Sequence, residues 1–338
     1  MLKAFCGSLL FFFCLAQFAS AKIWIADANP GDTGADFKTI QAAHDGASAG
    51  DTIYCIGSAQ SLGDATFTKK LTIIGPGYFL TENTNLQANP SSAKLGVLTF
   101  DKGSEGSMIS GCEIQGGLDI NTSNIYVIRD FLNIPRSYGY GITDIAIASQ
   151  LANVYVQDNF ITNGGALYGT GNGISTSGND GPVFVTNNYI GTDVPINFSS
   201  SDNAVIENNV INGNVACYNS TFQNNIMISG SFSGSGNGIF NNICNSNQFT
   251  NANGNIPNTD TSAVFVNTGT TDGRYQLKAG SPAKGAGVGG VDIGMFAGMN
   301  PYVLSGVPPI PSIFYFTAPF YGSKSQGLQV HIKAKVNN

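Results

Sequence analysis

A five-residue phrase built around an Asn pair recurs through the middle of the chain, and it constrains the fold more than any other feature. Its copies are Gln157-Asp158-Asn159-Phe160-Ile161, Thr186-Asn187-Asn188-Tyr189-Ile190, Glu207-Asn208-Asn209-Val210-Ile211, Gln223-Asn224-Asn225-Ile226-Met227 and Phe240-Asn241-Asn242-Ile243-Cys244. The second Asn of each copy follows the previous one by 29, 21, 16 and 17 residues. An irregular repeat of this length indicates stacked coils, each of which buries its apolar residues against its neighbours.

Apolar residues flank each Asn pair at the spacing of a β-strand. Around Asn188 they are Val183, Val185 and Ile190. Alternate residues of a strand share one face, so these side chains point to a common interior. Asn tolerates a left-handed backbone, and its amide both donates and accepts, so equivalent Asn residues of successive coils can form a hydrogen-bonded ladder. The sequence therefore predicts an all-β fold, a single-stranded parallel β-helix; a β-sandwich would need alternating hairpins instead.

The first 21 residues have the features of a secretory signal peptide. Lys3 gives the positive start, residues 9–15 the apolar run, and Ala19-Ser20-Ala21 the small-residue cleavage site. We therefore expect a secreted protein, extracellular or at the cell surface, and a monomer without a membrane span. Four cysteines remain after cleavage, and we expect buried free thiols, although an even number also permits disulfides. They are Cys55, Cys112, Cys217 and Cys244.

The charge balance argues against polyanionic partners. Without Lys3 the chain has 14 Lys and Arg residues (15 minus one) against 21 Asp and Glu residues. This mild acidity disfavours binding to nucleic acid or to anionic membrane surfaces by simple attraction. Charged residues make up only 11% of the chain, so Asn, Ser, Thr and Gly must keep its surface hydrated.

Both ends of the predicted stack need covers, because an open solenoid exposes strand edges. At the start, Asp36 is the predicted N-cap of a helix over residues 37–44 that lies on the first coil. At the end, residues 299–338 contain two strand-like runs around a Gly/Ser turn, which predicts a hairpin that covers the last coil. The predicted organisation is thus a signal peptide (1–21), a β-helix (22–298) and a C-terminal hairpin or tail (299–338).

Several segments together resemble a known family. They are Asp36 to Ala43 with Ala49 to Tyr54, Leu71 to Gly77, the Asn phrases, and the closing Gly273-Arg274-Tyr275-Gln276-Leu277, Gly280-Ser281-Pro282-Ala283 and Asp292-Ile293-Gly294. The pattern is similar to secreted bacterial right-handed parallel β-helix proteins of the pectin-lyase-like superfamily, over residues 22–298. The resemblance implies a right-handed β-helix. It implies no single activity, because the superfamily includes lyases, hydrolases, epimerases and adhesins.

Catalytic side chains are scarce in the central coils. From Ser137 to Gly273 there is no Lys, Arg or His, whereas lyases of the family resembled use an Arg or Lys base beside carboxylate-bound calcium. Arg129, Asp130 and Arg136 lie just upstream and are the candidate catalytic residues, since Ile134-Pro135-Arg136 partly resembles a lyase motif. Structural arginines on a coil surface are the alternative.

A glycosidase with two carboxylates stays open as well, because aligned positions of neighbouring coils can place two carboxyl groups at catalytic separations. The polygalacturonase pattern of the same family is absent. Carboxylates in hydrated turns are the alternative to catalysis. The central carboxylates are Asp144, Asp158, Asp180, Asp193, Asp202 and Glu207.

A Gly-rich loop near the start offers oxygen ligands. Asp27, Asp32 and Asp36 are candidate calcium ligands, although their spacing is not that of an EF-hand. A plain turn ahead of the helix is the alternative, and no other cofactor is expected.

These observations favour a secreted scaffold that contacts an extracellular polysaccharide or a cell-surface component without catalysis. Aromatic residues could stack on sugar rings, or could simply pack; they are Tyr138, Tyr140, Tyr155 and Tyr168. The alternative is a polysaccharide lyase or glycoside hydrolase with an atypical site. Ice binding is disfavoured because the Thr residues form no regular rows.

Overall fold

Three parallel β-sheets, A, B and C, form the sides of a β-helix. The computed structural model describes residues 21–135, 143–164, 171–178, 181–199, 203–325 and 327–337. Sheet A contains β1 (Ile23–Ala26), β2 (Thr52–Cys55), β4 (Thr72–Ile74), β7 (Met108–Ser110), β10 (Tyr126–Ile128), β13 (Val154–Gln157), β16 (Pro182–Thr186), β19 (Asn203–Glu207), β22 (Thr221–Gln223) and β25 (Gly238–Phe240).

Sheets B and C contribute one strand each to most coils, and strands are numbered in chain order. Sheet B contains β5 (Lys94–Leu95), β8 (Glu113–Ile114), β11 (Phe131–Pro135), β14 (Phe160–Gly164), β17 (Tyr189–Gly191), β20 (Val210–Asn212), β23 (Ile226–Ser229) and β26 (Ile243–Cys244). Sheet C contains β3 (Ala65–Phe67), β6 (Leu98–Phe100), β9 (Leu118–Ile120), β12 (Thr143–Ile147), β15 (Asn172–Thr176), β18 (Val194–Asn197), β21 (Val215–Ala216) and β24 (Phe232–Ser233).

Each strand pairs in parallel with the equivalent strand of the next coil, which confirms the predicted parallel β-helix. Val156, for example, lies opposite Val127 in the coil before it and Val185 in the coil after it. All three are completely buried, as are Val183 and Ile190, whereas Ile239 in the last coil is half-buried. The strand period therefore identified the core correctly.

The Asn pairs form the corner between sheets A and B. The first residue of each pair has a left-handed backbone, with φ of 58° at Asn187 and 57° at Asn208. The second residue belongs to a buried ladder: Nδ2 of Asn188 donates to Oδ1 of Asn209 at 3.0 Å and to the carbonyl oxygen of Val156 at 2.8 Å. The predicted ladder is thus present, and it runs from Asp130 to Asn255.

A short helix, α1 (Ile40–Gly46), covers the first coil, but its N-cap is Thr39 and not Asp36. Oγ1 of Thr39 accepts the N–H of Ala42 at 3.2 Å. The prediction of Asp36 was wrong because the helix starts one turn later, and Oδ2 of Asp36 instead accepts the N–H of Ile25 in β1 at 2.9 Å. Ile40 is buried against the first coil.

Beyond β26 the chain turns back along the outer face of sheet B. Residues 264–302 pack there on outward-facing Phe160, Tyr189, Val210 and Ile226, and form a second apolar cluster outside the coils. We call residues 286–310 the return segment. Short 3-10 helices interrupt this part of the chain at Ala252–Gly254, Thr261–Ala263, Gly273–Tyr275, Val288–Gly290 and Leu304–Gly306.

The C-terminal residues form the predicted hairpin, but it does not lie on the last coil. Strands β27 (Ser312–Thr317) and β28 (His331–Lys335) are antiparallel. The hairpin instead lies beside an early coil, where the N–H of Ala88 donates to the carbonyl oxygen of Ile313 at 2.7 Å. The return segment runs against the stacking direction and so carries the hairpin back. Phe249 closes the last coil by packing on Phe222 and Phe232.

The four cysteines of the β-helix are buried and free, as predicted. Burial raises the pKa of the Cys217 thiol to about 12, which makes it unreactive at neutral pH. In the part of the chain that the structure describes, no helix is long and apolar enough to cross a membrane.

Candidate functional site

Of the three outer faces, that of sheet A combines exposure with large side chains. From β11 onwards, the outer face of sheet B is covered by the second apolar cluster, and the outward residues of the earlier β5 and β8 are the charged Lys94 and Glu113. The outward residues of sheet C are small and polar, as at Thr99, Ser175 and Asn197. The outer face of sheet A carries aromatic, Met and Ile side chains along two columns, which makes it the candidate surface for a ligand.

Three aromatic rings of sheet A stack along the axis of the β-helix. The rings of Tyr126 and Tyr155 lie 4.7 Å apart at 3°, and those of Tyr155 and Phe184 lie 4.7 Å apart at 5°. Both faces of the Tyr155 ring are therefore covered by its neighbours, so Tyr155 cannot stack on a sugar. The stack presents ring edges to solvent, and its role in the sheet is cross-strand packing. Tyr138, Tyr140 and Tyr168 lie outside the described residues.

A groove of about 430 Å³ runs between sheet A and the return segment. Its size is within the range of small-ligand sites. Its walls are mostly apolar, with a few polar groups at the base. The lining residues are Ile74, Met108, Ser110, Ile128, Arg129, Gln157 and Asp158 from the coils, and Met299, Asn300, Pro301, Val303, Pro308, Pro309 and Ile310 from the return segment.

The A/B corner brings the return segment close enough to form this groove. Gly111 precedes Arg129 and Asp158 in the column of left-handed residues, with a φ of 76°. A Cβ atom at Gly111 would lie 2.5 Å from Cγ of Pro308, so only Gly allows this approach. Further along, Nδ2 of Asn187 donates to the carbonyl oxygens of Met295 at 3.0 Å and Ala297 at 2.7 Å. Side chains of the corner therefore hold the segment that forms one wall.

Arg129 and Asp158 form an ion pair at the base of the groove. Nε of Arg129 lies 3.6 Å from Oδ2 of Asp158, and Nη1 donates to the carbonyl oxygen of Val307 at 3.1 Å. The guanidinium has five N–H donors, and these two contacts engage only part of them. Arg129 thus links two coils to the return segment. Of the candidates Arg129 and Asp130, which the structure describes, only Arg129 lines the groove.

Asp158 is buried, contrary to the expectation of a hydrated turn carboxylate. Its side chain is 2% exposed, and Oδ1 has no hydrogen-bond partner. Burial raises the pKa of Asp158 to about 7, and the Arg129 charge opposes this rise. Burial dominates because the contacts of Oδ2 are long, 3.6 Å to Arg129 and 3.4 Å to Gln157.

Asp130 does not line the groove, although it follows Arg129 in the chain. It is fully buried at the start of the Asn ladder, where Oδ1 accepts the N–H of Cys112 at 2.8 Å. Burial raises the pKa of this carboxyl well above its usual range. Its position is structural, so the structure separates it from Arg129. Arg136 lies outside the described residues.

The three candidate calcium ligands each bind the protein itself. Oδ1 of Asp27 accepts the N–H of Asn29 at 2.7 Å, and Oδ1 of Asp32 accepts the N–H of Gly34 at 2.9 Å. Asp36 accepts the Ile25 N–H described above. Within the described residues, no group of three or more His, Cys, Asp or Glu side chains is arranged to hold a metal ion. These hydrogen bonds are those of a plain turn ahead of the helix, which was the alternative to a calcium site.

Sequence reasoning missed most of the groove. Gln157 and Ser110 occupy the position just before the corner in their coils, together with Ile128. The repeat predicts that these three residues occupy equivalent positions in successive coils. It does not predict the opposite wall, because that wall consists of residues more than 100 positions further along the chain. In comparisons with protein-family models, curated proteins and solved structures, nothing matched this chain.

Proposed function

We propose that this chain is a secreted β-helix scaffold, similar to the pectin-lyase-like superfamily, that binds an extracellular polysaccharide in the groove. The observation that carries the proposal is the groove itself, with Arg129 and Gln157 at its base and apolar side chains along both walls. Sugars present hydroxyl groups around apolar C–H surfaces, so they suit a site with a few polar groups between apolar walls. The outer face of sheet A would let a long chain extend beyond the groove.

Binding to a panel of neutral and acidic polysaccharides tests this proposal. Affinity electrophoresis of residues 22–338 should show retardation by at least one polymer. Gln157→Ala should weaken this binding about tenfold, the effect of one lost hydrogen bond to a ligand. Gln223→Ala is the matched control, because Gln223 occupies the same column of sheet A and does not line the groove. Equal loss in both variants, or no retardation at all, would contradict the proposal.

An enzyme, a lyase or glycoside hydrolase, is the second candidate, and one observation favours it. Asp158 is a carboxyl group with a pKa of about 7 beside a cation in the groove, which suits a general acid or base. A glycosidase needs a second carboxylate, and among the described residues that line the groove Asp158 is the only one. Reducing-end release or unsaturated-uronide absorbance that is lost in Asp158→Asn would establish this alternative in place of the scaffold.

A further inference from the structure

The C-terminal hairpin is almost entirely outside the folded body. From residue 315 to residue 334, every residue that the structure describes is exposed. Among its described residues, the hairpin is attached to the body at its base. There Oγ of Ser312 donates to the carbonyl oxygen of Leu86 at 3.1 Å, and Nζ of Lys335 donates to that of Asn85 at 2.9 Å. An isolated two-stranded hairpin is marginally stable in water, so this element is expected to have a partner.

One face of the hairpin is apolar. The pairing places Ile313 opposite Ala334 and Phe316 opposite Ile332, all on the same face. Phe316 and Ile332 are each 55% exposed, and Leu328 and Val330 continue the same alternation towards the turn. Near the turn, Phe320 and Tyr321 are 106% and 87% exposed. This apolar surface is unusual for a free element.

The other face is cationic and aromatic. Tyr315 pairs with Lys333, whose Nζ lies 5.2 Å from the centre of the Tyr315 ring. Nζ of Lys335 lies 5.7 Å from the centre of the Phe314 ring. The hairpin is therefore amphipathic, with lysines opposite its apolar face.

The charge of the hairpin is opposite to that of the body. No Asp or Glu follows Asp292, whereas Lys324, Lys333 and Lys335 lie in the hairpin. Residues 22–292 carry 11 Lys and Arg residues (15 less Lys3 and these three) against 21 Asp and Glu residues. The net negative charge of the whole chain disfavours binding to anionic membrane surfaces, but the hairpin by itself is basic.

We propose that the C-terminal hairpin docks the protein on the surface of a phospholipid bilayer that carries anionic headgroups. The apolar face and Phe320 would enter the boundary between headgroups and acyl chains, while the lysines reach the phosphates. Aromatic side chains favour this boundary region. The acidic body would be repelled by the same surface, so the protein would approach hairpin first. A second copy is less favoured, because pairing two hairpins brings six lysines together without an acidic residue.

Vesicle flotation of residues 22–338 tests this docking. The protein should float with phosphatidylcholine vesicles that contain phosphatidylglycerol, and much less with phosphatidylcholine alone. Each lysine near such a surface contributes a factor of about five, so Lys324→Glu with Lys333→Glu should reduce partitioning at least about 25-fold. Lys102→Glu with Lys284→Glu is the control, because both residues are exposed on the body and the net charge changes equally. Equal losses in the two double variants would overturn the proposal.

A second variant tests whether the hairpin inserts into the bilayer, in addition to being attracted by its charge. Phe320→Trp should show a blue-shifted emission on anionic vesicles, relative to the Trp24 background of the parent protein. Because Phe320 is fully exposed, the substitution leaves the fold intact. Unchanged emission on anionic vesicles, or a stable dimer by light scattering without vesicle binding, would also overturn the proposal. Polysaccharide binding at the groove is measured without vesicles, so a negative result in one experiment leaves the other proposal unaffected.

Discussion

The backbone N–H of Asp130 donates to Oδ1 of Asn159 at 2.8 Å, so Asp130 occupies a position of the Asn ladder without having an amide. In later coils the ladder residue also donates from Nδ2, as Asn159 does to the carbonyl oxygen of Val127 at 2.9 Å. A carboxylate has no such donor, and Oδ2 of Asp130 is buried without a partner. A protonated Asp130 can supply one donor, which agrees with its raised pKa.

Asp130→Asn should therefore stabilise the protein. The raised pKa means that folded Asp130 keeps its proton when the unfolded chain loses it, so wild-type stability falls as pH rises above about 4. The amide removes this loss and completes the ladder, which should raise the free energy of unfolding by about 1–3 kcal/mol near neutral pH. Urea unfolding in acidic and neutral buffer measures the difference. The exposed carboxyl of Asp119 supplies the control, Asp119→Asn, and a destabilised Asp130→Asn would refute the protonated ladder position.

Removing a ladder amide in the centre of the stack should have the opposite effect. Asn188→Ala leaves the N–H of Asn159 and the carbonyl oxygen of Val156 buried without their partners. Each unsatisfied group costs about 1–3 kcal/mol, so we expect a loss of about 3 kcal/mol in the free energy of unfolding. Asn197→Ala, on an exposed position of sheet C, should change it by less than about 0.5 kcal/mol. Similar losses for both would show that the ladder adds little.

The Arg129–Asp158 pair should make a second contribution to the pH dependence of stability, within the pH range in which Asp130 also acts. Folded Asp158 has a pKa of about 7 and an unfolded Asp about 3.9, so its contribution to stability falls between these values and levels off above them. Asp158→Asn should remove this contribution and leave that of Asp130. Arg129→Gln removes the charge that lowers the pKa, so the decline should extend to higher pH. Denaturant unfolding as a function of pH, with Asp130→Asn present in every variant, checks both. A profile that levels off at the same pH with and without Arg129→Gln would contradict the pairing.

The return segment should loosen when its contact with the corner is removed. Asn187→Gly retains the left-handed backbone, with φ of 58° in the native chain, and deletes the two hydrogen bonds to Met295 and Ala297. We expect faster limited proteolysis within residues 296–310, mapped by mass spectrometry, while the coils stay resistant. Asn258→Gly is the control, because Asn258 also has positive φ but is exposed. Unchanged cleavage in Asn187→Gly would mean that the apolar cluster alone holds the segment.

The sequence determined the coils because their pattern is local. Strand period identified Val156 and Val185 as interior residues, and the repeated Asn identified the corner and the ladder. Each inference needed only neighbours in the chain and the equivalent position one coil away. The helix was predicted as well, but with Asp36 as its N-cap, whereas the N-cap is Thr39.

Only the tertiary structure decided where the ends of the chain lie and what they form. Arg129 meets Val307 across 178 residues, and Asn187 meets Ala297 across 110. Contacts between residues so far apart produce no periodic pattern in the sequence. The return segment is irregular, and it is held through its backbone carbonyl groups, which every residue has. The same contacts bury Asp158, form the groove and carry the hairpin to an early coil. The repeat therefore specified the scaffold, and packing against its outer faces produced the candidate site.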